Sequence, residues 1–123
     1  MPNRTSYIEF LLEQLSPLGE VTMRSMFGGH VVYCRGTPFA LVANNALYLK
    51  ADDHNRPHFE ARDLEAFHPF EDPKAVIQYY ESPPELFEDR QALLHWAGGA
   101  VAAGQRAHAK KRRKKTKRAP SGK

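Results

Sequence analysis

The chain has 123 residues, with 18 Lys+Arg against 14 Asp+Glu and a formal net charge of +4. That total hides a split: residues 1–105 hold 8 of the basic residues and all 14 acids, a net −6, whereas residues 106–123 hold the other 10 basic residues and no acid. A globally basic body is excluded, and so is a membrane span, because no apolar run approaches the ~18 residues one needs.

The first 105 or so residues suit one domain. Met1–Ser6 offer no apolar signal core, and Glu9 and Glu13 interrupt the apolar stretch that follows, so a cytoplasmic chain is expected. Cys34 is the only cysteine, which excludes an internal disulfide and fits a reducing compartment. It lies in the apolar run Val31-Val32-Tyr33-Cys34, as a buried structural thiol would.

The elements read in chain order as follows. Ile8, Leu11, Leu12 and Leu15 fall on one face of a 3.6-residue period, which predicts a first helix capped by Thr5 or Ser6 and stopped by Pro17 and Gly19. The period then changes. Val21–Phe27, His30–Cys34, Phe39–Ala43 and Leu47–Lys50 read as four strands, separated by Gly28-Gly29, Arg35-Gly36 and Asn44-Asn45. Links this short require an antiparallel meander, because parallel strands need long crossovers.

Asp52 or Asp53 can cap a short helix to about Arg62, which Pro57 weakens unless it sits in the first turn. Glu65–Phe70 and Val76–Glu81 read as two more strands around Asp72-Pro73. Ser82-Pro83-Pro84-Glu85 breaks the sheet and starts a helical turn. The last helix begins near Asp89, with Leu93, Trp96, Ala97, Ala100, Val101 and Gly104 as its apolar stripe. Gly98-Gly99 inside it marks either a locally weak helix or a close approach to the sheet. Leu11, Phe39, Leu49 and Trp96 are expected in the core.

From Arg106 the pattern is lost. Lys110, Lys111, Arg112, Arg113, Lys114, Lys115, Lys117 and Arg118 put eight cations into nine positions. Like charges repel and nothing apolar is available to bury, so 108–123 reads as a disordered basic tail that extends the helix by at most a turn or two.

Several other groups could carry chemistry. Arg24-Ser25-Met26-Phe27-Gly28-Gly29 is the most distinctive local motif. Its glycines suit a turn, and Arg24, Met26, Phe27, Gly28 and Gly29 are a candidate partner contact. The Lys-Ser/Thr of a phosphate loop is missing. His54 and His58 could share a helical face, with Asp52 and Asp53 nearby, but a zinc site would need His68 or His30 to converge on them, and no metal or other cofactor is expected. No G-x-S-x-G is present, and Glu81, Glu85, Glu88 and Asp89 gather at a helix start, where the dipole favours acids. No catalytic residue is expected. Tyr79, Tyr80, Phe67, Phe70, Phe59 and Tyr48 could stack single-stranded nucleic acid, but alternating strand aromatics beside an acidic body read first as core.

Six segments in order carry a resemblance: Met23-Arg24-Ser25-Met26-Phe27-Gly28-Gly29, Phe39-Ala40-Leu41-Val42, Leu47-Tyr48-Leu49-Lys50, Asn55-Arg56-Pro57-His58-Phe59-Glu60, Tyr79-Tyr80-Glu81-Ser82-Pro83 and Leu93-Leu94-His95-Trp96-Ala97. Together they resemble the N-terminal domain of the TfoX/Sxy family, bacterial regulators of natural competence, over roughly Ser6 to Ala107. The resemblance implies a two-layer α+β domain over 1–107, an antiparallel sheet of about six strands with helices packed on it, in the order α-β-β-β-β-α-β-β-α. It resembles the stand-alone form, with a basic tail where longer relatives carry a C-terminal domain. In those relatives the family role is co-activation of transcription with a cyclic-AMP receptor protein.

The expected function is therefore a non-enzymatic regulatory or accessory role in transcription or competence. The Lys/Arg tail would bind DNA non-specifically, and a transcription-regulator protein is a further candidate partner. The alternatives are an RNA- or ribosome-associated protein using the same tail and a small-ligand or metal-binding enzyme.

Overall fold

The computed structural model describes residues 4–26, 28–67 and 78–118, with side chains through Lys110. Helix α1 spans Thr5–Leu15, strands β1 to β4 span Val21–Met26, Gly29–Cys34, Thr37–Ala43 and Ala46–Lys50, α2 spans Arg56–Glu60, β5 spans Tyr79–Glu81 and α3 spans Arg90–Arg118. Short 3-10 helices occupy Ser16–Leu18 and Pro84–Glu88. The fold is thus α+β, and the described residues form a five-stranded sheet in the order β1-β2-β3-β4-β5, every neighbouring pair antiparallel.

The meander follows from its turns. Arg35 and Gly36 have φ of 51° and 82°, and Asn44 and Asn45 have 51° and 59°. Two successive positive φ values match the right-handed twist of the flanking strands, and Gly and Asn tolerate them best.

One row of Cα partners crosses the whole sheet: Met23, Val32, Ala40, Leu49 and Tyr80. Four of these are buried and Met23 packs against them. Helix α3 lies over β3 and β4, and α1 sits beside it over β1. Leu11 and Leu15 of α1, and Leu93, Ala97, Ala100 and Ala103 of α3, close the core without exposure. Trp96 is only partly buried, at the core margin.

The register shifts once, where Val32 pairs with Ala40 but Tyr33 pairs with Pro38. Phe39 is the extra residue, and both Phe39 and Ala40 are 0% exposed. A bulge lets β3 turn two successive side chains inward.

Three local expectations change. Among the described residues no side chain caps α1, which starts after Arg4, whose own N–H donates to Asn45 Oδ1 at 2.7 Å. Helix α2 is shorter than Asp52–Arg62, because Asp52 and Asn55 make a turn of their own before it: the Asp52 N–H donates to Asn55 Oδ1 at 2.7 Å and the His54 N–H to Asp52 Oδ1 at 2.9 Å. The strand expected over Glu65–Phe70 shows, among the described residues, one antiparallel bridge from Ala66 to Tyr80. It is flanked by bonds from the Phe67 N–H to the Tyr79 carbonyl and from the Glu81 N–H to the Glu65 carbonyl. Phe70 and the turn at Asp72-Pro73 lie outside the described residues. Among those described, no helix is long and apolar enough to cross a membrane.

Candidate nucleic-acid interface

Helix α3 carries both halves of the charge split. Asp89 starts it, accepting at Oδ1 from the Ala92 N–H at 3.1 Å and at its carbonyl from the Leu93 N–H at 2.9 Å. Its first half is a core element. Of its glycines, Gly104 makes the close approach: a Cβ there would lie 2.5 Å from the Pro38 carbonyl oxygen. At Gly98 and Gly99 a Cβ would meet nothing within 4 Å, so the close approach considered for that pair falls instead at Gly104.

One residue past that contact, Gln105 is exposed, and then Arg106 ties the helix to the body. Its Nε and Nη2 donate to Asp52 Oδ2 and Oδ1 at 2.6 and 3.0 Å. This two-point clamp holds the Asp52 carboxyl down to about 2, chiefly through the Arg106 hydrogen bonds, and raises the Arg106 guanidinium.

Beyond Arg106 the backbone stays helical through Arg118. Eleven residues past Ala107 make about three turns, more than the one or two the sequence suggests. Lys and Arg are good helix formers, and the negative end of the helix dipole favours cations there. Lys110 is exposed. The side chains of Lys111, Arg112, Arg113, Lys114, Lys115, Lys117 and Arg118 lie outside the described set, so their placement rests on the helical backbone.

The glycine motif is a hairpin corner between β1 and β2. Gly28 has φ of 79°, and a Cβ on Gly29 would meet the Val42 carbonyl oxygen at 2.5 Å. Both glycines are therefore required by backbone geometry. The Arg24 guanidinium lies 5.8 Å from the Tyr33 ring centroid, and Met26 is 41% exposed. Phe27 lies outside the described residues.

The aromatics divide between the two faces of the sheet. Phe59 stacks on Tyr80 with centroids 5.2 Å apart and meets Trp96 edge-on at 5.1 Å, inside the core. Tyr48 and Tyr79 are on the opposite face, Tyr48 against Phe67 at 4.9 Å and Tyr79 beneath the Lys50 ammonium at 4.9 Å. They do not form one platform. Burial raises Tyr48 and Tyr79, and it raises Tyr7 to about 12 with help from Glu81.

The remaining candidates have local roles. Cys34 is buried, its Sγ 3.9 Å from the Leu18 carbonyl oxygen. Glu85 pairs with Arg62, and its carboxyl is lowered by its own backbone N–H and then by Arg62. His58 meets the edge of Trp96 with centroids 6.5 Å apart. His68 lies outside the described residues. Among those described, no group of three or more His, Cys, Asp or Glu could hold a metal ion.

The Asp52–Arg106 clamp was not visible in the sequence, since its partners are 54 residues apart and each is one charge among many. Comparison with known proteins returns a family model, the TfoX N-terminal domain, matching residues 13–104. A search of curated proteins finds no significant match.

Proposed function

The chain belongs to the TfoX N-terminal domain family, and on that premise we propose a non-enzymatic regulatory or accessory role in transcription, of the competence-regulator type, in which the C-terminal segment holds the protein on DNA without reading its sequence. The observation that carries this reading is the eight-in-nine run of cations continuing from an anchored helix. Such a run neutralises phosphates and releases their counterions, which gives affinity for any duplex. The body, at net −6 over residues 1–105, contributes little to that attraction. Its role is contact with a transcription-regulator protein.

The test is binding to unrelated duplexes across a salt series, with the full chain and with a chain ending after Ala109. That endpoint keeps the Arg106–Asp52 clamp. The full chain should bind all duplexes alike and lose affinity steeply with salt, and the shortened chain should not bind. Equal binding by the two chains overturns the tail as the DNA contact. Association in cell extracts that RNase abolishes reassigns the partner to RNA.

A further inference from the structure

Strand β1 is, among the described residues, an edge strand of the sheet. The Arg35 N–H donates to the Glu20 carbonyl at 2.8 Å, and β1 pairs with β2 in one unshifted register from Val21–Cys34 to Met26–Gly29. Hydrogen-bonded pairs alternate along an antiparallel ladder. Thr22, Arg24 and Met26 therefore bond to β2, and Val21, Met23 and Ser25 direct their backbone N–H and C=O groups away from it. Among the described residues no other strand pairs with that side.

Edge strands are usually blunted by shortness, proline, bulges or charged side chains. Strand β1 is six residues long, with no proline and no bulge against β2, and its one charge, Arg24, leans over the Tyr33 ring at 5.8 Å.

We propose that two copies of this chain pair through β1, antiparallel about a two-fold axis at Met23, to make one continuous ten-stranded sheet. The register is self-complementary. With Met23 opposite Met23 of the partner subunit, Val21 faces Ser25 and each Arg24 faces Thr22 of the partner subunit, so the two guanidinium groups are not opposed. Met23 and Val21 lie on the core side, where they already pack against apolar residues, and Thr22 and Arg24 lie exposed on the other. An axis perpendicular to the sheet puts both helix layers on the same side. Both basic segments then serve one polyanion, which multiplies avidity. The pairing itself is independent of DNA binding.

The test is the oligomeric state of the full chain by sedimentation velocity, from micromolar to submillimolar concentration, with hydrogen exchange at the Val21, Met23 and Ser25 amides. A concentration-dependent dimer with slowed exchange at those three amides is expected. Thr22→Glu adds an opposite charge across from each Arg24 and should tighten the dimer roughly tenfold, while Thr22→Lys should loosen it by a similar factor. Adding Arg24→Glu to Thr22→Lys should restore it. Because Thr22 is exposed, these variants keep the monomer fold, which melting confirms. A chain that stays monomeric throughout, or a dimer indifferent to the sign of the charge at Thr22, overturns the proposal.

Discussion

Gly104 lies against the backbone carbonyl of Pro38, so close that a Cβ would come within 2.5 Å of the oxygen. The obstructing atom belongs to a strand backbone and cannot swing aside. Gly104→Ala should therefore lower stability by about 2 kcal/mol or more, through strain of the kind seen on overpacking. Gly98→Ala and Gly99→Ala should do the opposite, gaining about 0.5–1 kcal/mol each, because they stand in a helix with open space around them. Thermal melting of the three variants checks the sign. A destabilised Gly98→Ala would mean that α3 packs more tightly there than described.

The Asp52–Arg106 clamp predicts a pH dependence. Asp52 titrates lower when folded, near 2, than when unfolded. Its stabilisation is therefore present above the ordinary carboxylate range of about 4 and is lost as pH falls from there to about 2. The side chains are 40% and 26% exposed, so water screens the pair and its worth is about 0.5–1 kcal/mol. Asp52→Asn should cost that much at neutral pH, and the cost should shrink towards zero as the pH falls to about 2. Urea unfolding at neutral and acid pH measures the difference.

Phe39 and Trp96 separate two kinds of apolar residue. Phe39 is 0% exposed at a bulge, and Phe39→Ala should cost about 3–5 kcal/mol. Trp96 sits at the margin, touching Phe59 and His58. Trp96→Ala should cost about 1.5–2.5 kcal/mol, because part of the indole already meets water. Equal losses at the two positions would contradict this division.

Where affinity comes from counterion release, each lysine counts the same. Replacing Lys114 and Lys115 by Gln should make the slope of log K against log salt shallower by about 2 and weaken all duplexes equally. A change confined to one sequence would point to base contacts instead.

The sequence made visible those parts of the fold that depend on near neighbours. Ile8, Leu11, Leu12 and Leu15 announce α1, and two of them are fully buried. The Arg35-Gly36 and Asn44-Asn45 pairs announce turns with positive φ, and the structure has them. What stayed hidden depends on contacts between distant segments. The bulge at Phe39 is set by register against β2, and no residue type demands it. Gly104 and Gly98-Gly99 look alike in sequence, and only the position of Pro38 distinguishes them. Asp52 looked like a helix cap, whereas its carboxylate serves Arg106, 54 residues away.

Helix α3 joins a core helix and a cationic rod in one run of backbone from Arg90 to Arg118. An unfolded chain keeps all of its lysines and arginines, so a polyanion attracted by charge alone binds the folded and unfolded forms alike and leaves the melting temperature where it was. Any rise in melting temperature on adding DNA therefore measures something narrower, what the folded state alone adds: occupancy of the rod transmitted, turn by turn, into the half of the helix that closes the hydrophobic core, or two rods held together by a paired sheet.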